Sequence, residues 1–280
     1  MMFLKIFLPL MLLVTPVAGA AEQEQYDFSA AAKKSHPRLI FNDKEFKQLK
    51  KDIWKNQYLK AMHESVMAVA DNPGTRKRPL EYKLDASGRR LLKVSRAALK
   101  RISVNAYAYR YSGDKCYLAA AEEDILTVCN FPDWHEIHYL DVAEMATAVA
   151  IGYDWLYKDM KPSTRELAVR KIIDYAFGTS VNAKEAPSFY ETNNNWNQVC
   201  NGGLICAALA IYESDPELAS RVISKSIESN RPVIAHTYAP DGAYPEGPGY
   251  WSYGTEYQIM MFAVLESVLG TDFALSQEDG

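Results

Sequence analysis

From Asn42 onward, apolar residues recur at helical spacing in one segment after another, separated by short polar or Gly/Pro-containing connections. Nowhere do β-branched and polar residues alternate over the length of a strand. A chain with this single periodicity has to bury its apolar stripes helix against helix, so the expected class is all-α. At 280 residues it is long enough for one large domain with a substantial core, and no internal boundary is evident.

Local signals place the helices. Asn42 followed by Glu45 is a capping pair opening a helix through DKEFKQLKKDIWKN. A second helix is expected over about Gln57–Ala70, stopped by Asp71-Asn72-Pro73-Gly74. The stretch RRLLKVSRAALKRISVNAYAYRY predicts a long amphipathic helix ending at Ser112-Gly113-Asp114, with an antiparallel partner over about Lys115–Cys129. VAEMATAVAIGYDWLY follows, and Ser163 with Glu166 predicts a capping box for STRELAVRKIIDYAFG. Further helices are expected at about Trp196–Tyr212, Pro216–His236 and Tyr250–Leu269. Such pairs close as a bundle, a solenoid or an α/α toroid. No short period repeats, which disfavours a regular solenoid, while Tyr, Trp and Asn gather in the loops after residue 130. That combination favours an incomplete α/α toroid of antiparallel helix pairs with a cleft at one end.

The first twenty residues, MMFLKIFLPLMLLVTPVAGA, combine Lys5, an apolar run and the small-residue site Ala18-Gly19-Ala20. This is the pattern of a signal peptide cleaved after Ala20, so the expectation is an exported protein, periplasmic or secreted, whose domain spans residues 21–280. No second segment is apolar enough to suggest a membrane span. The formal net charge of −4 does not suggest nucleic-acid binding, although basic residues dominate from Arg76 to Lys115. They form either a solvated helix face or a surface that attracts an anionic polymer. The four cysteines lack C-x-x-C spacing; Cys200 and Cys206 read as core, and a Cys116–Cys129 bridge is a possibility in an exported chain.

Two loop-to-helix junctions carry the chemistry. In ETNNNWNQVCNGG, four amides and an indole precede an apolar helix that needs one of them as a cap. In PDGAYPEGPGYWSYGTEY, glycines and prolines display Tyr244, Glu246, Tyr250, Trp251 and Tyr253. Flat aromatics suit stacking on sugar rings. An Asn amide that hydrogen-bonds a uronate carboxylate stabilises the anion formed when the adjacent proton leaves. A Tyr can take that proton as phenolate and return one as phenol to the leaving glycosidic oxygen. Asn and Tyr in an aromatic cleft are therefore a coherent set for β-elimination of an acidic polysaccharide.

The segments HPRLIFNDKEFKQLKKDI, DWHEIHYLDVAEMATAVAIGYDWLY, NNNWNQVCNGG and PDGAYPEGPGYWSYG, in this order, resemble the heparinase II/III-like polysaccharide lyases. The resemblance implies an N-terminal toroid followed by a large β-sheet domain, and cleavage of uronate polysaccharides such as heparan sulfate or alginate. It implies that Asn195 neutralises the carboxylate and that Tyr250 is the acid/base, with Tyr253 as the alternative in its Tyr-Gly pair. Some relatives carry His where Trp196 stands, and the family draws a further His, sometimes with a structural metal, from the β domain. The chain ends at Gly280 without such a domain, so the expectation is a fragment or a toroid-only version with no cofactor of its own.

Asn194, Trp196, Glu246, Trp251 and His138 are candidate substrate contacts, with duller alternatives for each. Asn193 and Asn194 suit turns and caps, the two tryptophans suit a core, and Glu246 suits a supporting role or a plain loop charge. His135, His138 and Asp141 could share a metal-facing side. Asp154, inside an apolar helix, is expected to satisfy buried groups, and His36 is expected to be structural. The competing functions are a toroidal glycoside hydrolase using carboxylates among Asp154, Asp241 and Glu246, and a non-catalytic module that binds acidic glycans.

Overall fold

The computed structural model describes residues 26–72 and 79–279. The expected signal peptide and the basic residues Arg76, Lys77 and Arg78 lie outside the described residues. Among the described residues the structure is helical and contains no strand. The helices are α1 Ser29–Lys33, α2 Asp43–Asp52, α3 Gln57–Asp71, α4 Leu92–Ser112, α5 Lys115–Cys129, α6 Leu140–Leu156, α7 Pro162–Lys171, α8 Asn195–Ala210, α9 Pro216–Tyr238 and α10 Pro248–Leu269.

Several ends follow the sequence signals. Asn42 forms the full capping box with Glu45, and Gly113 and Gly270 end α4 and α10 in the left-handed conformation that favours glycine. The Ser163–Glu166 capping box does not form. Pro162 takes the first helical position, which draws Ser163 inside the helix, and no side chain caps α7. The nearby Thr164 hydroxyl donates instead to Glu122 at 2.7 Å. Beyond Lys171 the helix continues in wider π-type turns over Ile172–Phe177.

Burial ranks the helices. Every residue of α6 except Trp155, and every residue of α8 except Trp196, is buried. A helix covered on all sides needs neighbours on all sides. Packing is closest between α4 and α6, α6 and α8, and α8 and α10, while α5, α7 and α9 lie against this row. Small residues set the spacing: a Cβ on Gly203 would stand 2.6 Å from the Ala143 carbonyl oxygen, and one on Gly202 2.8 Å from that of Tyr257. Glycine here lets α8 approach both flanking backbones.

The four row helices run in the same direction. At their starts, the Leu91 N–H donates to Asp141 Oδ2 at 2.8 Å, and the His138 and Trp196 rings meet edge to face at 4.9 Å. At their far ends, the Arg110 guanidinium lies 5.2 Å over Trp155, and the Tyr153 hydroxyl donates to Glu213 Oε1 at 3.4 Å. The row is also curved. Three spacings of about 8–10 Å would separate α4 from α10 by roughly 25–30 Å on a flat sheet of helices. Yet Arg96 of α4 lies 5.0 Å from the Tyr253 ring of α10, and the Tyr253 hydroxyl donates to Glu144 Oε1 of α6 at 2.5 Å. The helix starts therefore converge.

One further possibility is overturned. Cys116 and Cys129 form no disulfide with each other: they sit at opposite ends of α5, about 20 Å apart by helical rise. Of the basic stretch, Lys83, Arg89, Arg90, Lys93, Arg96 and Lys100 are exposed, as a solvated face requires, while Arg101 pairs with the buried Asp124 at 2.5 Å and the Arg110 side chain is buried 4.2 Å over Phe46.

Candidate active site at the convergent helix starts

The first turns of α4, α6, α8 and α10 bring together groups that are distant in sequence. Asn194 is the N-cap of α8, its oxygen accepting the Trp196 N–H at 3.0 Å. That oxygen is committed to the helix rather than to a ligand. Asn195 follows and is buried. Its backbone N–H donates to Glu246 Oε2 at 2.7 Å, and its Nδ2 lies 2.8 Å from both carboxylate oxygens of Glu246. A carboxylate against the amide nitrogen sets the orientation of the amide, because Oδ1 there would meet like charge. Oδ1 is left buried without a partner.

The Glu246 contact shows what this corner can do. A helix-start N–H and an amide NH2 converge on one carboxylate, where the helix dipole adds favourable potential. Glu246 is thus tied to Asn195 rather than extended as an independent ligand for substrate.

α10 starts immediately after this loop. A Cβ on Gly254 would collide with Gln198 and stand 3.3 Å from the Asn195 Cβ, so α10 presses on α8 beside the amide. Tyr250 lies one turn earlier on the same helical face as Gly254. It is 53% exposed, and among the described residues no hydrogen bond engages its hydroxyl. Trp251 is 44% exposed beside it. Tyr253 is in a different state: its hydroxyl is spent on Glu144, and burial and then the Glu144 charge push its phenol far above the usual tyrosine range. Of the two candidate tyrosines, Tyr250 alone presents an uncommitted hydroxyl.

Residues not singled out in the sequence complete the floor. Glu144 is buried and accepts from the Ser95 hydroxyl at 2.6 Å, Arg96 Nε at 3.1 Å and Tyr253. Burial raises its carboxyl against those donors. The buried Tyr257 hydroxyl has no partner, and burial raises that phenol too. The signal for Glu144 was present: it is one of three acids, with Asp141 and Asp154, in a helix that is otherwise mostly apolar.

His138 forms one wall against Trp196. Its Nδ1 is 3.3 Å from Asp141 Oδ2 but not aligned for a hydrogen bond. Burial, then the Arg90 and His135 charges, hold His138 below the usual histidine range, which favours neutral imidazole. Burial pushes Asp141 up to about 6 despite the Leu91 N–H. His135 does not join this pair. It sits at φ 62, and its Nε2 contacts the Arg89 carbonyl at 2.9 Å. Among the described residues no group of three or more His, Cys, Asp or Glu is arranged to hold a metal ion.

The buried amides that follow Asn195 are structural. Asn197 Nδ2 donates to Ser229 Oγ at 2.8 Å, Asn201 to Asn197 at 2.9 Å, and Gln258 to Asn230 at 2.8 Å. The Tyr244 hydroxyl donates to Gln198 at 2.5 Å. This network ties α8 to α9, α10 and the loop before α10.

No protein-family model matches this chain, and no curated protein matches it either. Among the described residues, no helix is long and apolar enough to cross a membrane.

Proposed function

We propose that this chain is the helical domain of a polysaccharide lyase, an incomplete α/α toroid that cleaves a uronate-containing polysaccharide by β-elimination. The observation that carries the proposal is a carboxylate-holding amide, Asn195, at the start of α8 and an uncommitted phenol, Tyr250, at the start of the adjoining α10. The convergent starts favour negative charge, which suits an acidic polymer. Trp196, Trp251 and Tyr250 supply flat faces for sugar rings.

In this reading the sugar carboxylate exchanges with Glu246 on Asn195, one carboxylate for another. The amide and the helix-start N–H then stabilise the charge that builds as the proton alpha to the carboxylate departs. Tyr250 as phenolate takes that proton. The bond from the β carbon to the glycosidic oxygen breaks, a carbon–carbon double bond forms, and Tyr250 returns a proton to the leaving oxygen. Tyr253 holds Glu144 and leaves this role to Tyr250. Export to the periplasm or the medium, as the leader-like first twenty residues suggest, fits a polymer that cannot enter the cytoplasm.

The hydrolase reading loses Asp154, one of its three candidate carboxylates. Asp154 lies at the far ends of the row helices, about 20 Å by helical rise from the Glu246 corner, where hydrolases hold their two carboxylates within roughly 5–9.5 Å.

The test is incubation with heparan sulfate, alginate and hyaluronan while ultraviolet absorbance reports the unsaturated sugar. Product is expected from at least one uronate, with Tyr250→Phe lowering the rate about 100- to 10,000-fold. Solvent oxygen in the product, or full activity in Tyr250→Phe, would overturn the proposal.

A further inference from the structure

Arg96 takes no part in the elimination as drawn, yet it has the most constrained cationic head at the convergent end. Its Nε is fixed on Glu144 at 3.1 Å, and its guanidinium lies 5.0 Å over the Tyr253 ring. Glu144 is itself immobilised, 1% exposed and shared with Ser95 and Tyr253. The Arg96 side chain nevertheless remains 56% exposed. One edge is anchored on the protein and the rest faces outward. A guanidinium held this way has already lost most of its rotamer freedom, so gripping an anion costs less ordering, and its planar fork matches carboxylate or sulfate oxygens. Arg90 adds positive potential in the same neighbourhood, since its charge is felt at both His138 and Asp141.

The placement is specific. Arg96 stacks on Tyr253, and Tyr253 follows Tyr250 by three residues on α10, so the cation belongs to the same helix start as the phenol assigned to the chemistry. The geometry points to Arg96 as a specificity-determining residue that reads a second negative charge, a carboxylate or sulfate, on the sugar adjoining the uronate that is cut. This rests on the lyase reading and narrows its substrate class to polymers charged on adjacent sugars.

The experiment compares kcat/KM on polymannuronate, with a carboxylate on every sugar, on heparan sulfate, with sulfate on the neighbour, and on hyaluronan, whose neighbour is neutral. The expected result is that Arg96→Gln lowers the charged-to-neutral kcat/KM ratio at least tenfold, mainly through KM. Arg96→Lys keeps a charge beside Glu144 and should give an intermediate ratio. The polymer with the larger ratio loss identifies carboxylate or sulfate as the group read. An equal loss on all three polymers marks Arg96 as structural support and overturns the inference, as does a wild-type chain that prefers hyaluronan. If no polymer yields unsaturated product, the lyase reading fails separately. The same ratio is then read from binding constants at low salt: a tenfold fall in Arg96→Gln upholds the anion site, and a change within twofold removes it.

Discussion

The two ends of the helix row are built from similar side chains and treated very differently. At the C-terminal end, His36 places Nδ1 2.5 Å from Asp154 and Nε2 2.8 Å from Glu213. Asp154 also accepts the backbone N–H groups of Arg38 and Leu39 at 2.8–3.1 Å. Arg38 donates to the Ala31, Lys34 and Ala210 carbonyls and to Glu213. Of this cluster's buried side-chain atoms only Arg38 Nε lacks a partner. At the opposite end, Asn195 Oδ1, Asp141 Oδ1 and the Tyr257 hydroxyl are buried without partners, while Tyr250, Trp251 and Arg96 remain exposed. Composition alone does not separate these clusters, since each has His, acid, Arg and Tyr. Completed hydrogen bonding separates them: one end is a closed clamp, and the other keeps capacity for something to bind.

The sharpest way to break this contrast is to damage each end in turn. Asp154→Ala leaves His36 and two backbone N–H groups buried without their acceptor and should cost about 3–5 kcal/mol of stability, read by urea unfolding. Asn195→Ala should cost far less stability but about 100- to 1,000-fold in product formation. Reversal of those two outcomes would dissolve the distinction between the ends.

Gly203→Ala tests the shared scaffold. The added methyl meets the Ala143 carbonyl at 2.6 Å, and backbone cannot step aside as a flexible side chain does. A loss of about 1–3 kcal/mol in thermal unfolding is expected. No loss would mean that α6 and α8 are less tightly apposed than the row requires.

The smallest expected effect is the pH dependence of the clamp. Burial opposes charge on His36, but Asp154 and Glu213 outweigh it and the net shift is upward. Its contribution is therefore complete below the ordinary histidine value of about 6.5 and fades as pH rises through the higher folded value. For Glu213, burial is outweighed by His36 and Arg38, and its carboxyl falls to about 2. That contribution is complete above about 4.5 and fades as pH drops towards 2. The stability difference between wild type and Glu213→Gln should thus peak between about pH 4.5 and 6.5. With Glu213 about one-third exposed, solvent screening keeps it near ~1 kcal/mol or less. A difference flat from pH 3 to 8 would remove the ionic part of the clamp.

Helix positions were largely legible in the sequence, because periodicity and caps act within a few residues: Asn42 with Glu45 and Gly113 acted where they were read. The Ser163–Glu166 box misled because Pro162 competed for the same turn. Asn195, Tyr250 and Tyr253 stood out, but their states did not. Only the curve of the row brings Glu144 to the Tyr253 hydroxyl and leaves that of Tyr250 open. Glu144 did not stand out, and Arg96 was one of several basic residues between Arg76 and Lys115, because their meaning lies in partners on other helices.

By itself the sequence determined an all-α chain, the approximate helix limits and the two junctions rich in amides and aromatics. These depend on backbone propensity and on the 3.6-residue repeat, which neighbouring residues set among themselves. Tertiary structure decided that four helix starts converge, that Glu246 holds Asn195, and that Asp154 sits in a closed clamp with His36. Such outcomes depend on how close two backbones come and which hydrogen-bonding groups remain after packing, and both emerge only when distant segments meet.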